Sequence, residues 1–205
     1  MANQNLDSTY WNSRYIEENT PWDIGYPSPA LVNYLHSHAK PGTKILIPGA
    51  GNAYEASWLI ENKQGFELTI VDLSIDLVEK LQRKFEQFPN IKVICLDFFE
   101  LEGTYDLILE QTFFCAIDPA LRNNYLAKMK SLLSPKGKLA GLLFNVEFVK
   151  AGPPFGGNSK EYITSFNQYF TEYFIDYYPD SIPQRSGNEI FFEIIPSKLF
   201  MDFPL

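Results

Sequence analysis

The residues KILIPGAGNAYE at 44–55 are the most informative part of the sequence about its fold. Its first part, KILIP at 44–48, is a short apolar run that predicts a strand, and residues 53–62 predict a helix. Gly49 and Gly51 lie between them, where they permit a tight turn and let the backbone approach a ligand at the helix N-terminus. The same glycines would also serve a plain strand-to-helix connection, so the turn alone leaves both interpretations open.

Short apolar runs continue to alternate with helical segments after this turn. Further strands are predicted at 66–72, 91–97, 105–111 and 138–144. Helices are predicted from Ser74 to about Phe88, from Pro119 to Leu133 and from Ser159 to Tyr169. Strands that are apolar throughout and separated by helices indicate a parallel sheet covered on both faces, which is a doubly wound α/β fold. Ligands of such sheets bind outside the carboxyl ends of the strands.

The composition narrows the class of partner. With 205 residues, 45% of them hydrophobic, the chain is expected to form one packed domain. The net charge of −8 disfavours nucleic acid and anionic membrane surfaces as partners. No signal peptide or membrane-spanning run is recognisable, so a cytoplasmic protein with a small-molecule substrate is expected. Cys95 and Cys115 are too few for a disulfide framework and wrongly spaced for zinc; we expect both to be buried and no metal site to exist.

Two acids follow neighbouring predicted strands. Asp72 ends the second strand, at the separation from the glycines expected of an acid that binds ribose hydroxyls. Asp97 ends the third and is followed by Phe98; its carboxylate could accept from the exocyclic amine of adenine. Each acid alone could be a helix N-cap. Together with the glycine turn they predict a nucleoside site, and Tyr54, where a dinucleotide fold would have a third glycine, weakens a nicotinamide interpretation.

Longer motifs carry a family resemblance. IPGAGNAYE, VDLS, LDFFE and YDLILEQTFFCAIDP resemble the thiopurine S-methyltransferase superfamily, in particular its plant-type halide and thiol methyltransferases. YWNSRYIEENTPWDIGYPSPAL resembles the entry segment of that branch, AGPPF (151–155) its loop after strand five, and SIPQRSGNE (181–189) its C-terminal hairpin. The resemblance implies a Rossmann-like class I methyltransferase: a doubly wound, mostly parallel seven-stranded sheet with an N-terminal helical cap. S-adenosylmethionine would be the cofactor and S-adenosylhomocysteine the product.

The same resemblance suggests how the chain is organised. One methyltransferase domain would span 1–205, with a cap over the cofactor at 1–40 and a cofactor-binding core at 44–145. Residues 146–205 would supply a lid loop, a helix and the C-terminal hairpin. A monomer or weak homodimer is expected.

The resemblance also assigns site residues. Cofactor contacts are expected at Trp11, Tyr15, Trp22, Gly49, Gly51, Asp72, Asp97, Phe98 and Gln111. Tyr15 replaces a family tryptophan, and Gln111 stands where plant members carry a tyrosine. Substrate-pocket candidates are Gln111, Phe144 and Phe155, and Gly156 and Gly157 are the expected hinges of the lid.

No His, Lys or Cys occupies a convincing general-base position after a strand. This absence favours a small, soft acceptor that arrives as an anion, such as a thiolate, bisulfide or halide, and reacts by in-line displacement without a proton acceptor. Two alternatives remain open from the sequence. Gln111 and Phe144 depart from the family pattern and allow a non-catalytic cofactor-binding protein, and the fold class also includes nicotinamide-dependent oxidoreductases.

Overall fold

The computed structural model describes residues 6–150 and 152–196. The helices are α1 (Ser8–Ile16), α2 (Pro29–His38), α3 (Tyr54–Asn62), α4 (Ile75–Phe85), α5 (Arg122–Leu132) and α6 (Ser159–Tyr169). The strands are β1 (Lys44–Pro48), β2 (Glu67–Asp72), β3 (Ile91–Cys95), β4 (Tyr105–Gln111), β5 (Leu133–Phe144), β6 (Glu172–Asp176) and β7 (Glu189–Ile195). The helices and strands alternate as the sequence pattern predicts.

One seven-stranded sheet with the order β3-β2-β1-β4-β5-β7-β6 organises these elements. The first five strands pair in parallel, and β7 is antiparallel to both β5 and β6. The chain reverses direction across the sheet at β1, so β1 and β4 meet at the switch point where α/β sheets bind ligands. The expected fold class, a doubly wound and mostly parallel seven-stranded sheet, is confirmed.

Each face of the sheet carries its own apolar core. Ile45 and Ile47 of β1 point to a cluster that includes α2, α3 and α4, while Leu46 points to a cluster that includes α5 and α6. Alternate residues of one strand therefore serve opposite faces, as the pleat requires. Coverage of both faces explains why the strand shows no polar alternation.

The N-terminal helix α1 packs less deeply against the rest of the protein than α2 does. Helix α1 has no fully buried residue, whereas α2 buries Leu31 and Leu35 almost completely. Helix α1 packs on α4. Within the described residues, no helix has the length and apolar character needed to cross a bilayer, and no group of His, Cys, Asp and Glu side chains suited to a metal ion is found there.

Several predicted boundaries shift. Strand β3 ends at Cys95, and Asp97 instead caps a single 3₁₀ turn at Phe98–Glu100. Pro119 begins a second 3₁₀ turn, and the α-helix starts only at Arg122. The expectation of two buried cysteines is wrong for Cys95, which is exposed because β3 is an edge strand, while Cys115 is buried.

Candidate active site

A cavity of about 770 Å³ lies at the carboxyl ends of the central strands, under the N-terminal segment. This volume suits a drug-sized ligand. Ten of the sequence-predicted site residues line it: Trp11, Tyr15, Trp22, Gly49, Gly51, Asp72, Asp97, Phe98, Gln111 and Phe144. Residues far apart in sequence therefore share one cleft.

The glycine turn brings the backbone against aromatic side chains. Gly49 and Gly51 have φ angles of 55° and 53°, in the left-handed region that favours glycine. A Cβ on Gly49 would overlap the ring of Phe113, and one on Gly51 would lie 3.6 Å from the hydroxyl of Tyr15. Both conformation and space therefore require a glycine at position 49.

Asp72 is a buried acid of the cavity wall. Its Oδ1 accepts from the backbone N–H of Ser74 at 3.0 Å, and the residue is 9% exposed. Burial raises the pKa of this carboxyl to about 6, and hydrogen bonds from the backbone of Ser74, Gly51 and Leu73 oppose the rise. Asp72 is thus a charged acceptor at neutral pH.

Asp97 is held in a different way. Its Oδ1 accepts from the backbone N–H of Phe99 at 2.9 Å, so it is the N-cap of the 3₁₀ turn. The side chain lines the cavity from an exposed position, while Phe98 beside it is 4% exposed. Asp97 therefore caps the 3₁₀ turn, as the sequence allowed, and also lines the cavity.

Three aromatic rings of the N-terminal segment form one cluster. The ring of Trp22 meets those of Trp11 and Tyr15 edge-on, with centroids 5.6 and 5.9 Å apart. The guanidinium of Arg14 lies 5.4 Å from the Trp22 centroid. Burial, together with the charge of Asp72, raises the pKa of Tyr15, which therefore stays a neutral phenol.

Polar contacts tie this segment to the glycine turn and to α4. Asn12 Oδ1 accepts from Ser74 Oγ at 2.8 Å and from the backbone N–H of Asp76 at 3.1 Å. Asp23 Oδ2 accepts from the side chains of Asn52 and Tyr54. These hydrogen bonds hold the N-terminal segment over the glycine turn and Asp72, where the sequence predicts that adenosine binds.

The opposite end of the cavity is aromatic. The rings of Phe144 and Phe148 meet edge-on at 5.1 Å, and Cys115 lies in the same wall. Burial strongly raises the pKa of the Cys115 thiol, whose Sγ lies 3.3 Å from the carbonyl oxygen of Thr112 as a hydrogen-bond donor. Cys115 is therefore a protonated thiol and not a nucleophile at neutral pH.

The prediction for Phe155 is corrected. Pro153 and Pro154 line the cavity, whereas Phe155 does not, because its backbone N–H donates to the Cys115 carbonyl at 2.7 Å and its ring packs beside Gly152. The predicted segment also includes Ala151, which lies outside the described residues.

The predicted hinge glycines are closely packed. A Cβ on Gly156 would overlap the carbonyl of Val146, and one on Gly157 would overlap the ring of Tyr162. Arg122 also donates to the Gly156 carbonyl at 2.9 Å. These glycines permit close packing, and their φ angles do not require the left-handed region.

Sequence reasoning missed three polar residues at the site. Asp23 and Arg185 line the cavity, and Glu110 lies fully buried behind it at the end of β4. Glu110 Oε1 accepts from the backbone N–H groups of Phe113 and Phe114 at 2.9 and 2.7 Å, which fixes the turn after β4. Its position in an apolar strand was the signal that could have revealed it.

The charged side chains that line the cavity are mostly acidic. Among the described residues that line it, Arg185 is the only basic one, whereas five are acidic: Asp23, Glu55, Asp72, Asp97 and Asp118. Such a wall is poorly suited to a pyrophosphate, which is bound by basic groups and helix N-termini. Carboxylates for hydroxyl and amino groups, with aromatic rings for a cation, fit S-adenosylmethionine better than a nicotinamide dinucleotide.

Solved structures share this fold. The fold resembles a Burkholderia thailandensis 1,6-didemethyltoxoflavin-N1-methyltransferase with bound S-adenosylhomocysteine, at a TM-score of 0.72 and 20% identity, covering 93% of this chain and 87% of the other. It also resembles magnesium protoporphyrin IX methyltransferase from Synechocystis, at a TM-score of 0.70 and 13% identity, covering 93% and 97%. These likenesses establish the fold.

Sequence comparison identifies relatives. The family model described as thiopurine S-methyltransferase matches residues 6–189. A probable thiol methyltransferase 2 of Arabidopsis thaliana is 32% identical over 157 residues, which are 74% of this chain and 69% of the relative. A thiopurine S-methyltransferase of Vibrio parahaemolyticus is 24% identical over 180 residues, covering 80% and 83%.

Fold and relatives together define a class I methyltransferase, an enzyme that uses S-adenosylmethionine as its cofactor. More narrowly, the chain belongs to the thiopurine S-methyltransferase family. The resemblance found in its motifs is thereby confirmed. Neither the oxidoreductase nor the non-catalytic alternative agrees with this membership.

Proposed function

We propose that this enzyme methylates a small thiol-type acceptor, as a thiolate or bisulfide, by in-line displacement without a dedicated general base. The observation that carries the proposal is the aromatic end of the cavity: its described wall includes Phe144 and Phe148 but neither His nor Lys. Relatives described as a thiol methyltransferase, a thiocyanate methyltransferase and a thiopurine S-methyltransferase support a soft sulfur acceptor. A halide is the second acceptor class to be tested.

In this proposal the adenosine moiety lies along the ends of the first three strands. Gly49 and Gly51 let the backbone approach it, Asp72 accepts from the ribose hydroxyls, and Asp97 with Phe98 binds the base. The chain would divide as predicted, with 1–40 as the cap, 44–145 as the core and 146–205 completing the acceptor side.

The cofactor, when bound, supplies a methyl group on a positively charged sulfur. Trp11, Tyr15 and Trp22 would face this charge, each contact contributing about 0.5–2 kcal/mol depending on desolvation. Gln111 and Phe144 would orient the acceptor. The wall of the cavity would exclude water, which strengthens the reactivity of an anionic sulfur.

A proton acceptor is unnecessary if the acceptor loses its proton in solution. The protein groups near the acceptor end also make poor bases: burial raises the pKa of Cys115, and Asp118 Oδ1 accepts from the backbone N–H of Ala120 at 2.9 Å as an N-cap. Catalysis would rest on alignment, which contributes up to ~7–11 kcal/mol in well-oriented reactions.

The test is product analysis with purified enzyme and methyl-labelled S-adenosylmethionine. The acceptor panel contains an alkylthiol, an arylthiol, hydrosulfide, thiocyanate and iodide, and products are identified by headspace and liquid-chromatography mass spectrometry. We expect labelled methyl thioethers from the alkylthiol and the arylthiol and labelled methanethiol from hydrosulfide. An Asp72→Ala variant serves as the control with impaired cofactor binding. Turnover of iodide alone, or of oxygen and nitrogen acceptors alone, would contradict the proposal.

A further inference from the structure

Arg185 touches three parts of the molecule that are distant in sequence. Its Nη2 donates to the carbonyl oxygen of Trp22 at 2.9 Å, and its Nη1 lies 3.4 Å from Oε1 of Glu189. The guanidinium carbon lies 5.5 Å from the centroid of the Phe144 ring. The side chain is 11% exposed, so these contacts enclose it.

The charge of Arg185 already has a partner. The side chain of Glu189 is 4% exposed, and burial raises the pKa of its carboxyl, while the hydroxyl of Ser181 and then the charge of Arg185 oppose that rise. A buried carboxylate requires such compensation, because leaving it unpaired is strongly unfavourable. Arg185 therefore attracts an incoming anion less strongly than an unpaired guanidinium would.

The hydrogen bond from Arg185 to the carbonyl oxygen of Trp22 adds an attachment to the N-terminal segment. Helix α1 has no fully buried residue, and the N-terminal segment at 8–24 is held by Asn12 of α1 and by Asp23 on the side of α4 and the glycine turn. Arg185 holds the same segment from the opposite side, through the hairpin between β6 and β7. The ring of Trp22, the centre of the aromatic cluster, lies between these attachments.

We propose that Arg185 is a positioning residue that fixes Trp22 over the cavity and joins the N-terminal segment to the C-terminal hairpin. Its charge is neutralised by Glu189, so it closes the cavity and does not serve as the binding group for an anionic acceptor. Only the place of Trp22 over the cofactor rests on the proposed function; the closure itself is a property of the free protein.

The first experiment compares two conservative arginine variants. Arg185→Lys keeps the positive charge near Glu189 but loses the planar fork that reaches two acceptors at once. Arg122→Lys is the matched control, because Arg122 also donates to a backbone carbonyl, that of Gly156, at 2.9 Å. Amide hydrogen exchange is measured across residues 8–24 and 152–157, with and without S-adenosylhomocysteine.

We expect Arg185→Lys to speed exchange in 8–24 about two- to tenfold, as the loss of one hydrogen bond predicts. Affinity for S-adenosylhomocysteine and KM for S-adenosylmethionine should weaken by a similar factor, with KM for the acceptor little changed. Arg122→Lys should affect 152–157 and leave 8–24 unchanged. If Arg185→Lys raises only KM for the acceptor and leaves exchange in 8–24 unchanged, the proposal is wrong.

A second variant keeps the inference testable if Arg185→Lys folds poorly. Glu189→Gln retains the shape of the side chain and removes its charge, so the charge of Arg185 becomes uncompensated. Iodide should then bind to the S-adenosylhomocysteine complex of the variant about two- to tenfold more tightly than to that of the wild type, as measured by titration calorimetry. Unchanged iodide affinity would overturn the assignment of Glu189 as the neutralising partner. Hydrogen exchange needs no turnover, so failure of thiol methylation would not be confused with failure of this inference.

Discussion

In the proposed binding mode, the ionisation of Asp72 makes cofactor affinity depend on pH. Its pKa of about 6 in the free protein arises from burial, whereas ribose hydroxyls are better accepted by the ionised carboxylate. Affinity for S-adenosylhomocysteine should therefore be constant above about pH 7 and fall about tenfold towards pH 5, as the carboxyl becomes protonated. Titration calorimetry across this range is the measurement. Asp72→Asn should bind weakly at every pH; a variant with the wild-type pH dependence would show that another group titrates.

Glu110 should make folding stability depend on pH in the opposite sense from a salt-bridged acid. Burial raises its pKa from 4.5 to about 7, so the stability it contributes is present below the unfolded pKa and lost as pH rises through about 7. The difference corresponds to about 3 kcal/mol. Its Oε2 is buried without a hydrogen-bond partner, which explains why ionisation is unfavourable.

Glu110→Gln isolates this effect, because the amide oxygen can still accept from the N–H groups of Phe113 and Phe114. We expect the variant to gain stability relative to wild type between about pH 5 and pH 8, by about 2–3 kcal/mol. Denaturant unfolding at several pH values measures the difference. A difference that stays constant over this range would place the Glu110 pKa outside it.

The sequence predicted the part of the cavity wall formed by the glycine turn and Asp72 better than the part formed by the C-terminal hairpin and the loop after β5. Gly49 and Asp72 follow strands whose order is readable from apolar runs, so their convergence follows from the parallel sheet. Arg185 reaches the cavity only because β7 is antiparallel to β5 and carries the hairpin back to the strand ends. Pro153 and Pro154 line the cavity in place of Phe155, whose backbone N–H donates to the carbonyl of Cys115. The orientation of a loop depends on such long-range contacts, which local patterns do not encode.

Among the elements, apolar runs predicted the bounds of β1 to β4 to within two residues, whereas β5 begins at Leu133, five residues before its predicted start. The larger errors lie at the ends of strands and helices, where capping side chains and prolines set the boundary. Asp97 was expected inside a strand but accepts from its own turn as an N-cap, and Pro119 begins a 3₁₀ turn before the helix. The antiparallel direction of β7 follows from tertiary packing, which strand propensity does not specify.

The contact between α1 and α4 provides a test of the N-terminal segment as an element. Asn12→Ala removes acceptors used by Ser74 Oγ and by the backbone of Asp76, the first turn of α4. We expect affinity for S-adenosylhomocysteine to fall about three- to tenfold, while the free energy of unfolding changes by less than about 1 kcal/mol, because α1 has no fully buried residue.

Asn33→Ala is the matched control for Asn12→Ala. Asn33 also donates from its amide, to Asp180 at 3.1 Å, but it is exposed on α2 and does not line the cavity. Calorimetry and limited proteolysis within 8–24 are compared for the two variants. Equal effects of both substitutions on cofactor affinity would show that docking of α1 has no special role.

For the whole molecule, the sheet order divides the cavity into two sides. β2 and β3 lie on one side of the central pair β1 and β4, and β5, β7 and β6 lie on the other. Asp72 at the end of β2 and Phe144 at the end of β5 are therefore separated by two intervening strands. Neighbouring strands are about 4.8 Å apart, so the two residues are far enough apart to act nearly independently.

This separation predicts that Phe144→Leu changes the acceptor step and not cofactor binding. Leucine keeps an apolar wall but loses the ring contacts with Phe148 at 5.1 Å and with Arg185 at 5.5 Å. We expect kcat/KM for an arylthiol to fall about three- to thirtyfold, equivalent to about 0.7–2 kcal/mol of lost positioning, while affinity for S-adenosylhomocysteine stays within about twofold. Steady-state kinetics with saturating cofactor and calorimetry measure the two quantities separately. An equal loss in kcat/KM and in affinity for S-adenosylhomocysteine would contradict this prediction. It would show that a change at the end of β5 affects binding at the end of β2, across β4 and β1, so that the two ends of the cavity act as a single binding unit.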